Sequence, residues 1–138
     1  MENIAPFAYA KSAYLQLSAH DRRLVNPRGS FIDSPHIAYR RAILDNDRMK
    51  MPMGFLEGYI FEDAPDTMII VYAVAPAYRN RGIAVQLIDG VKQYASKQKL
   101  KLLARVEHEN IRSRDILLKS GFKLIQDNGE QYKMEWAP

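Results

Sequence analysis

The chain has 138 residues, of which 47% are hydrophobic and 26% charged, so we expect a single soluble domain over residues 1–138. Because there is no cysteine, disulfides, thiolate catalysis and cysteine-based zinc sites are excluded, and a cytoplasmic location is expected. The formal net charge is +4, but acidic residues are interleaved with the basic ones and no long Lys/Arg tract occurs, so nucleic acid is not the expected partner.

The N-terminal part of the chain predicts two helices joined by a loop. Apolar residues at helical spacing predict a first helix over Phe7–Ser18, and the turn-forming cluster NPRGS indicates a loop over Ala19–Ile32. A second helix is expected to begin at Ser34-Pro35, where a capping residue precedes a proline, and to end near Asp45-Asn46. Its apolar stripe consists of Ala38, Tyr39, Ala42 and Ile43.

Two strands and a longer helix are predicted next. Gly54–Glu62 has the alternation of a strand, and Thr67–Ala75 is a near-continuous apolar run, which is typical of a central strand covered on both faces. Apolar residues at helical spacing then predict an amphipathic helix from Ile83 to about Gln98.

The last part of the chain predicts a strand over Lys101–Glu107, a helix over Ile111–Ser120 that Gly121 ends, and a hairpin around Asn128-Gly129. The hairpin strands are FKLIQ and QYKMEW. The order strand, helix, strand, helix, strand predicts an α/β or α+β domain with a parallel strand pair at its centre.

The segment that opens the helix at Ile83 has the composition of an anion site. A helix N-terminus leaves backbone N–H groups unpaired and carries partial positive charge. Gly82 lets the backbone approach a bulky ligand, Ala84 keeps the next turn small, and Arg79 and Arg81 add positive charge. Together they predict a cradle for a phosphate or pyrophosphate, although the glycine spacing does not fit the dinucleotide fingerprint.

These residues carry a resemblance to a known family. Arg79-x-x-Gly82-x-Ala84, preceded by Val74-x-Pro76 at the end of an apolar strand, resembles the acyl-CoA pyrophosphate motif of the GCN5-related N-acetyltransferases (GNAT). The resemblance implies the fold of that family, a mixed and mostly antiparallel sheet with a splayed central parallel pair and helices on both faces. It also implies acetyl-CoA as co-substrate, with no metal.

A second block of residues agrees with the first. Asn110, Ser113, Leu117 and then Gly121-Phe122 have the spacing of the family's later motif, where an asparagine after the fifth strand precedes a short helix that ends in Gly-Phe. The two blocks follow each other in the family's order, so the resemblance covers roughly residues 67–124.

The resemblance implies which residues hold acetyl-CoA. Backbone N–H groups from Tyr72 to Val74 face the pantetheine and thioester, and those from Asn80 to Val85 face the pyrophosphate. Asn110 caps a helix and contacts the pantetheine or its water network. The implied cofactor-binding residues are Tyr72, Ala73, Val74, Arg79, Asn80, Arg81, Gly82, Ile83, Ala84, Val85 and Asn110.

Proton-transfer residues are missing from the family's usual positions. Three usual base positions hold Met68, Ile70 and Arg105, and the usual acid position holds Leu117. The candidates nearest by strand position are Tyr72, Glu57 and Glu107. Three explanations stay open: water carries the protons with one of these residues helping, the amine has a low pKa and arrives neutral, or the chain binds acyl-CoA without transferring the acyl group.

Each candidate also has a structural interpretation. Tyr72 fits an aromatic residue of a core strand, and Glu57 either points into a cleft or pairs with a neighbouring strand. Arg105 and Glu107 share a strand face, where they fit a cross-strand ion pair. If Arg105 instead faces the cleft, it favours an acceptor that bears a carboxylate.

The implied function is acetyl transfer from acetyl-CoA to a primary amine by direct attack, since no cysteine exists to carry a covalent intermediate. The acceptor stays open between a small amine, an antibiotic and a lysine or N-terminal amine of a protein. A non-catalytic acyl-CoA-binding regulator is the alternative from another class. Strands near the C-terminus often pair between subunits in this family, so a homodimer is one expected arrangement, but the sequence leaves the oligomeric state open. No apolar run is long enough for a membrane span, and the histidines are too scattered for a metal site.

Overall fold

The computed structural model describes residues 36–45 and 51–138. Over these residues, the elements follow in the order β1, β2, β3, a short 3₁₀ helix, α1, β4, α2, β5 and β6. Their bounds are Ile37–Asp45 for β1, Met51–Tyr59 for β2, Thr67–Val74 for β3, Pro76–Tyr78 for the 3₁₀ helix, Ile83–Gln98 for α1, Lys101–Glu107 for β4, Ile111–Lys119 for α2, Lys123–Asp127 for β5 and Gln131–Trp136 for β6.

The strands form one mixed sheet in the order β1-β2-β3-β4-β6-β5. All neighbouring strands are antiparallel except β3 and β4 at the centre, which are parallel. Parallel neighbours need a crossover, and α1 supplies it between these two strands. The predicted mixed sheet with a central parallel pair is confirmed.

Residues 37–45 correct one sequence-based prediction. They form strand β1, so the helix predicted from Ser34 to Asn46 is wrong over these residues. The apolar spacing is misleading because Arg40 and Arg41 lie on opposite faces of the strand and hide its alternation. Pairing with β2 decides the outcome, since it places Arg40 directly opposite Glu57 and supplies a ladder of main-chain hydrogen bonds.

The other predicted elements lie close to their expected bounds. Strand β2 covers Met51–Tyr59 instead of Gly54–Glu62, whereas β4 and α1 have the predicted bounds. Lys99 ends α1 in the left-handed conformation, with φ 57°. Gly129, with φ 87°, lies in the turn of the predicted hairpin between β5 and β6.

Helices α1 and α2 pack against the same side of the sheet, which we call the helix face. Buried apolar residues of the two helices and of the strands form one core there. The helices contribute Ile83, Leu87, Ile88, Val91, Ala95 and Leu117, and the strands contribute Tyr39, Leu56, Met68, Ile70, Leu102, Ala104, Val106 and Met134. The opposite side, which we call the second face, carries the alternate residues of each strand.

The predicted first helix, Phe7–Ser18, and the loop Ala19–Ile32 lie outside the described residues. Within residues 36–45 and 51–138, both α-helices pack on the helix face, so the expected helices on both faces are not tested there. Within residues 36–45 and 51–138, no helix has the length and apolar character needed to cross a membrane.

Gly54 of β2 lies where the start of α1 meets the sheet. A Cβ atom at this position would lie 2.9 Å from the carbonyl oxygen of Ala73 and 3.1 Å from Cγ2 of Ile83. Real Cβ atoms essentially never come as close as the first of these distances. The missing side chain therefore lets the first turn of α1 rest directly on β2 and β3, next to the end of the parallel pair.

Candidate active site

The parallel strands β3 and β4 separate toward their C-terminal ends. Register pairs join them only from Thr67 opposite Lys101 to Ile69 opposite Leu103, although both strands continue beyond these residues. Strand β2 covers the other edge of β3, and β6 covers the other edge of β4. The gap is therefore bordered by main-chain groups on both sides, and such an edge binds an extended ligand through main-chain hydrogen bonds. The predicted splay is confirmed.

An open cleft of about 550 Å³ lies where this gap meets the start of α1, and its volume suits a small-molecule ligand. The predicted cofactor-binding residues that line it are Tyr72, Ala73, Val74, Arg79, Asn80, Gly82, Ile83, Ala84, Val85 and Asn110. Arg81 does not line the cleft, and its guanidinium carbon lies 5.4 Å from the centre of the Tyr78 ring.

The start of α1 provides unpaired donors beside the cleft. Gly82 caps the helix in the left-handed conformation, with φ 76° and ψ 12°, and no side chain caps this end. The N–H of Gln86 donates to the carbonyl of Gly82, so the N–H groups of residues 83–85 have no partner within the helix. The first turn contains no acidic residue, and the positive end of the helix dipole is therefore available to an anion.

Cationic side chains surround the same cleft. Arg79 lies on one side, and Arg112 and Lys119 of α2 lie on the other. Asp115 also lines the cleft, and its Oδ1 accepts a hydrogen bond from Nη2 of Arg114 at 3.1 Å. The excess of cations favours a ligand with several negative charges.

Sequence reasoning missed the contribution of α2 to this cleft. Arg112, Asp115, Ile116 and Lys119 line it from one side of the helix. Their spacing of three and four residues is the signal that predicts a shared helix side. The sequence alone does not say which side of α2 faces the cleft, because that depends on how the helix packs.

Tyr72 connects the cleft to the gap between the strands. It lines both cavities, and its hydroxyl oxygen lies 2.6 Å from Oγ and 3.3 Å from the carbonyl oxygen of Ser113. Burial raises the pKa of Tyr72 to about 12, although the hydrogen bond with Ser113 partly opposes this shift. Tyr72 is therefore a neutral hydroxyl at physiological pH.

Asn110 holds the start of α2 at the cleft. Its Oδ1 accepts a hydrogen bond from the N–H of Ser113 at 3.3 Å, so Asn110 caps the helix as expected. The same residue lines the cleft and the gap. This cap fixes the position of Ser113, and through Ser113 it orients the hydroxyl of Tyr72.

Glu57 lies on the second face, away from the cleft lining. Its side chain is 1% exposed, and its Oε2 accepts a hydrogen bond from Nε of Arg40 at 2.7 Å. Tyr59 donates a weaker hydrogen bond to Oε1 at 3.4 Å. Of the two arrangements expected for Glu57, the structure therefore shows the pair with a neighbouring strand.

Glu107 and Arg105 also lie on the second face. Oε1 of Glu107 accepts a hydrogen bond from Nε2 of Gln131 at 2.8 Å. Arg105 is exposed and lies opposite Lys133 of β6. Among the described residues, the structure shows no cross-strand ion pair at Arg105 or Glu107.

The usual proton-transfer positions hold no ionisable group on the helix face. Met68, Ile70 and Leu117 are buried in the core. In the part of the chain that the structure describes, no group of three or more metal-ligating side chains comes together. Of the three proton-transfer candidates named from the sequence, Tyr72 lines the cleft, whereas Glu57 and Glu107 do not.

Comparison with known proteins identifies the family. The profile described as "Acetyltransferase (GNAT) family" matches residues 7–122. The chain belongs to this family. A curated relative, L-2,4-diaminobutyric acid acetyltransferase of Streptomyces coelicolor, is 38% identical over 50 residues. This match covers 36% of the chain and only 29% of the relative's length.

Solved structures of other GNAT proteins superpose on this chain. The GNAT domain of S. lividans PAT superposes with a TM-score of 0.77 at 14% identity, covering 96% of this chain and 85% of that one. The PaiA N-acetyltransferase of Thermoplasma acidophilum, solved in complex with coenzyme A, gives 0.57 at 20% identity, covering 65% and 56% of the two chains. These likenesses confirm the predicted fold class.

Proposed function

We propose that this GNAT chain is an N-acetyltransferase that binds acetyl-CoA in the cleft and transfers its acetyl group to a primary amine. One observation carries the proposal: the gap between β3 and β4 opens onto a cationic cleft at the uncapped start of α1. Family membership and the coenzyme A complex of the T. acidophilum enzyme support the choice of ligand.

The residues that line the cleft fit the chemistry of acetyl-CoA. The pyrophosphate occupies the start of α1, where the N–H groups of residues 83–85 and Arg79 offer donors and positive charge. Arg112 and Lys119 stand across the cleft, in reach of further phosphate oxygens. The pantetheine extends along Tyr72–Val74 as an added strand, which brings the thioester into the gap.

The proposed reaction replaces the C–S bond of the thioester by a C–N bond and moves one proton from nitrogen to sulfur through water. The neutral amine attacks the thioester carbonyl carbon, a C–N bond forms, the C–S bond breaks, and the nitrogen loses a proton to water. Tyr72 has a pKa of about 12, whereas an ordinary thiol has a pKa of about 8.5, so complete proton transfer from Tyr72 to the thiolate is unfavourable. Tyr72 instead donates a hydrogen bond to the departing sulfur, and water supplies the proton that the thiol keeps.

Ser113 prepares Tyr72 for this role. Either hydroxyl of the pair can donate across the 2.6 Å contact. When Ser113 donates to the oxygen of Tyr72, the Tyr72 hydroxyl can exchange its long 3.3 Å hydrogen bond to the Ser113 carbonyl for one that points into the gap, which both residues line. Ser113 is therefore a positioning residue, and Tyr72 is the residue that contacts the reacting atoms.

A small amine is the proposed class of acceptor. The curated relative carries an acetyltransferase name with L-2,4-diaminobutyric acid as substrate, and the local identity of 38% supports testing that compound first. The acceptor reaches the thioester from the second face, because the helices cover the other side of the gap.

The first test is thermal unfolding with and without acetyl-CoA, followed by thiol release across a panel of primary amines. At 100 times its Kd, a ligand that binds only the native state stabilises it by about 2.7 kcal/mol, which raises the Tm by roughly 5 to 10 °C. No shift would contradict binding in the cleft. A shift without thiol release for any amine would instead support the non-catalytic regulator.

The homodimer expected from the sequence stays a prediction, as do the single-domain organisation and the cytoplasmic location. Strand β5 forms one edge of the sheet and exposes Leu124 and Ile125 by 49% and 48%. Exposed apolar edge strands pair readily with another strand. Sedimentation analysis tests the dimer, and a monomer at high concentration would contradict it.

A further inference from the structure

Two cations face each other on the second face without an acidic partner. Arg105 of β4 lies directly opposite Lys133 of β6 in the antiparallel register. Like charges in this arrangement destabilise a sheet, so a purely structural surface favours an acid at one of the two positions. The pair therefore needs another explanation.

Among the described residues, no acid forms an ion pair with either cation. In the part of the chain that the structure describes, no carboxylate oxygen lies within 4.0 Å of the charged nitrogens of Arg105 or Lys133. Glu107, one step along the same strand face, accepts its hydrogen bond from Gln131. The two cations are thus available to an anion from solution.

The cations also share a cavity. An open pocket of about 230 Å³ is lined by Arg105, Lys133, Gln126, Asn128, Gln131 and Tyr132, all of which carry polar donors. Arg105 lines a second, smaller cavity as well, which lies in the gap between β3 and β4. Arg105 therefore borders both the polar pocket and the gap in which the proposed function places the thioester.

We propose that Arg105 and Lys133 form a carboxylate subsite that selects acceptors carrying an acid group beside the amine. The planar guanidinium of Arg105 binds the carboxylate through two parallel hydrogen bonds, and Lys133 adds a point charge. An acceptor held there presents its amine to the gap beside Tyr72. This inference rests on the proposed acetyl transfer and deepens it by naming the substrate class.

The test compares two acceptors of nearly the same shape, L-2,4-diaminobutyrate and its uncharged carboxamide, at saturating acetyl-CoA and at a pH where the γ-amine has the same charge in both. In the wild-type enzyme, we expect the KM of the carboxylate to be at least about tenfold lower, because charged hydrogen bonds contribute this much. Arg105→Gln should raise the KM of the carboxylate about tenfold and leave that of the carboxamide within about twofold. Adding Lys133→Gln should remove the remaining preference.

Lys123→Gln is the matched control. It removes one positive charge from the same hairpin, but Lys123 lies opposite Glu135 and lines neither cavity. This variant should keep the wild-type preference for the carboxylate. An equal rise in KM for both acceptors in Arg105→Gln, or no rise at all, would overturn the proposal.

A binding measurement keeps the proposal testable without turnover. Both compounds are titrated by calorimetry into protein saturated with coenzyme A, for the wild type and for the double variant. Tighter binding of the carboxylate that disappears in the double variant is the expected result. Equal affinity in the wild type, or no binding of the carboxylate, would overturn the subsite even if acetyl-CoA still stabilises the protein. Loss of that stabilisation would contradict the proposed function instead.

Discussion

On the helix face of the sheet, the cleft at the start of α1 offers main-chain N–H donors to a ligand, whereas the second face makes its polar contacts through side chains of neighbouring strands. Gly82 and the first turn of α1 form the proposed anion cradle. On the other side, Arg40 pairs with Glu57, and Gln131 pairs with Glu107. In the proposed reaction, acetyl-CoA therefore binds to main-chain donors on the helix face, and the amine binds to side chains on the second face.

The difference explains why one substrate is easier to predict than the other. A site made of main-chain donors needs a left-handed glycine and a helix start at a fixed spacing, and these leave a short local motif. A site made of cross-strand pairs depends on register between residues far apart in sequence, such as Arg105 and Lys133. Such a site leaves no motif that a single sequence can show.

The largest effect is expected on the second face, at Glu57. Glu57→Gln removes the carboxylate that accepts a hydrogen bond from Nε of the buried Arg40, and breaking a buried pair costs about 3–5 kcal/mol of unfolding free energy. Chemical denaturation measures the loss. If Glu57 belongs to the structure rather than to the chemistry, kcat of the folded fraction should stay close to that of the wild type.

The double variant Arg40→Met with Glu57→Leu is the control for this interpretation. Replacing both partners by apolar residues of similar volume removes both charges of the buried pair, so stability should largely return. The contrary outcome is a Glu57→Gln variant that unfolds at the same denaturant concentration as the wild type but has a kcat about a hundredfold lower. Glu57 would then act in catalysis, and the second face would not be purely structural at this position.

The same ion pair shows where sequence reasoning fails. Residues 37–45 have apolar residues at helical spacing, yet they pair with β2 along their whole length, and Arg40 opposite Glu57 is one of these pairs. In contrast, β3 and α1 have strong periodic patterns of their own, and both are predicted to within about a residue. Local signals fail where a long-range contact decides the structure.

The candidate site follows the same rule. The motif around Gly82 predicts the cleft lining that comes from β3 and α1. Arg112 and Lys119 escape prediction because their role depends on how α2 packs, and the partner of Tyr72 depends on a contact with Ser113, 41 residues away. Side chains that meet only in the folded chain need the structure.

Tyr72→Phe is expected to have the next largest effect, on the helix face. It removes the hydrogen bond to the departing sulfur, and kcat should fall about a hundredfold while the KM for acetyl-CoA changes little. Steady-state thiol release measures both. Ser113→Ala is the matched control, because it keeps the hydroxyl of Tyr72 and should lower kcat by less than about tenfold.

The pH dependence of stability tests the environment of Tyr72 independently. Its pKa is about 12 in the folded chain and 10.0 ordinarily, so between these values the unfolded chain has released a proton that the folded chain still holds. The free energy of unfolding should therefore fall as the pH rises through this window, by about 1.4 kcal/mol per pH unit. Tyr72→Phe should show a shallower fall, and identical slopes would contradict the buried position.

A smaller effect is expected from Gly82→Ala at the cradle. Gly82 has φ 76°, and an added Cβ meets no atom within 4 Å, so the substitution strains the backbone without a clash. The strain costs about 1–2 kcal/mol and turns the N–H groups of α1 away from the pyrophosphate, which should weaken acetyl-CoA binding about tenfold. Calorimetric titration measures the Kd.

Gly129→Ala separates strain from binding. Gly129 also has a positive φ, 87°, and open space around its Cβ position, but it lies in the hairpin turn away from the cleft. It should lose similar stability and keep the wild-type Kd. If both variants bind acetyl-CoA equally well, binding does not depend on the conformation of Gly82. The main-chain N–H groups at the start of α1 would then not be the groups that hold the pyrophosphate.

Glu107→Gln should have the smallest effect. Glutamine still offers an oxygen to Nε2 of Gln131, so kcat and KM should stay within about twofold and the unfolding free energy within about 0.5 kcal/mol. Glu107→Ala, which removes the acceptor, should cost about 1 kcal/mol and no more activity. A tenfold or larger fall in kcat for Glu107→Gln, together with loss of the acidic limb of the pH–rate profile, would make Glu107 a general base. The second face would then supply chemistry as well as acceptor binding.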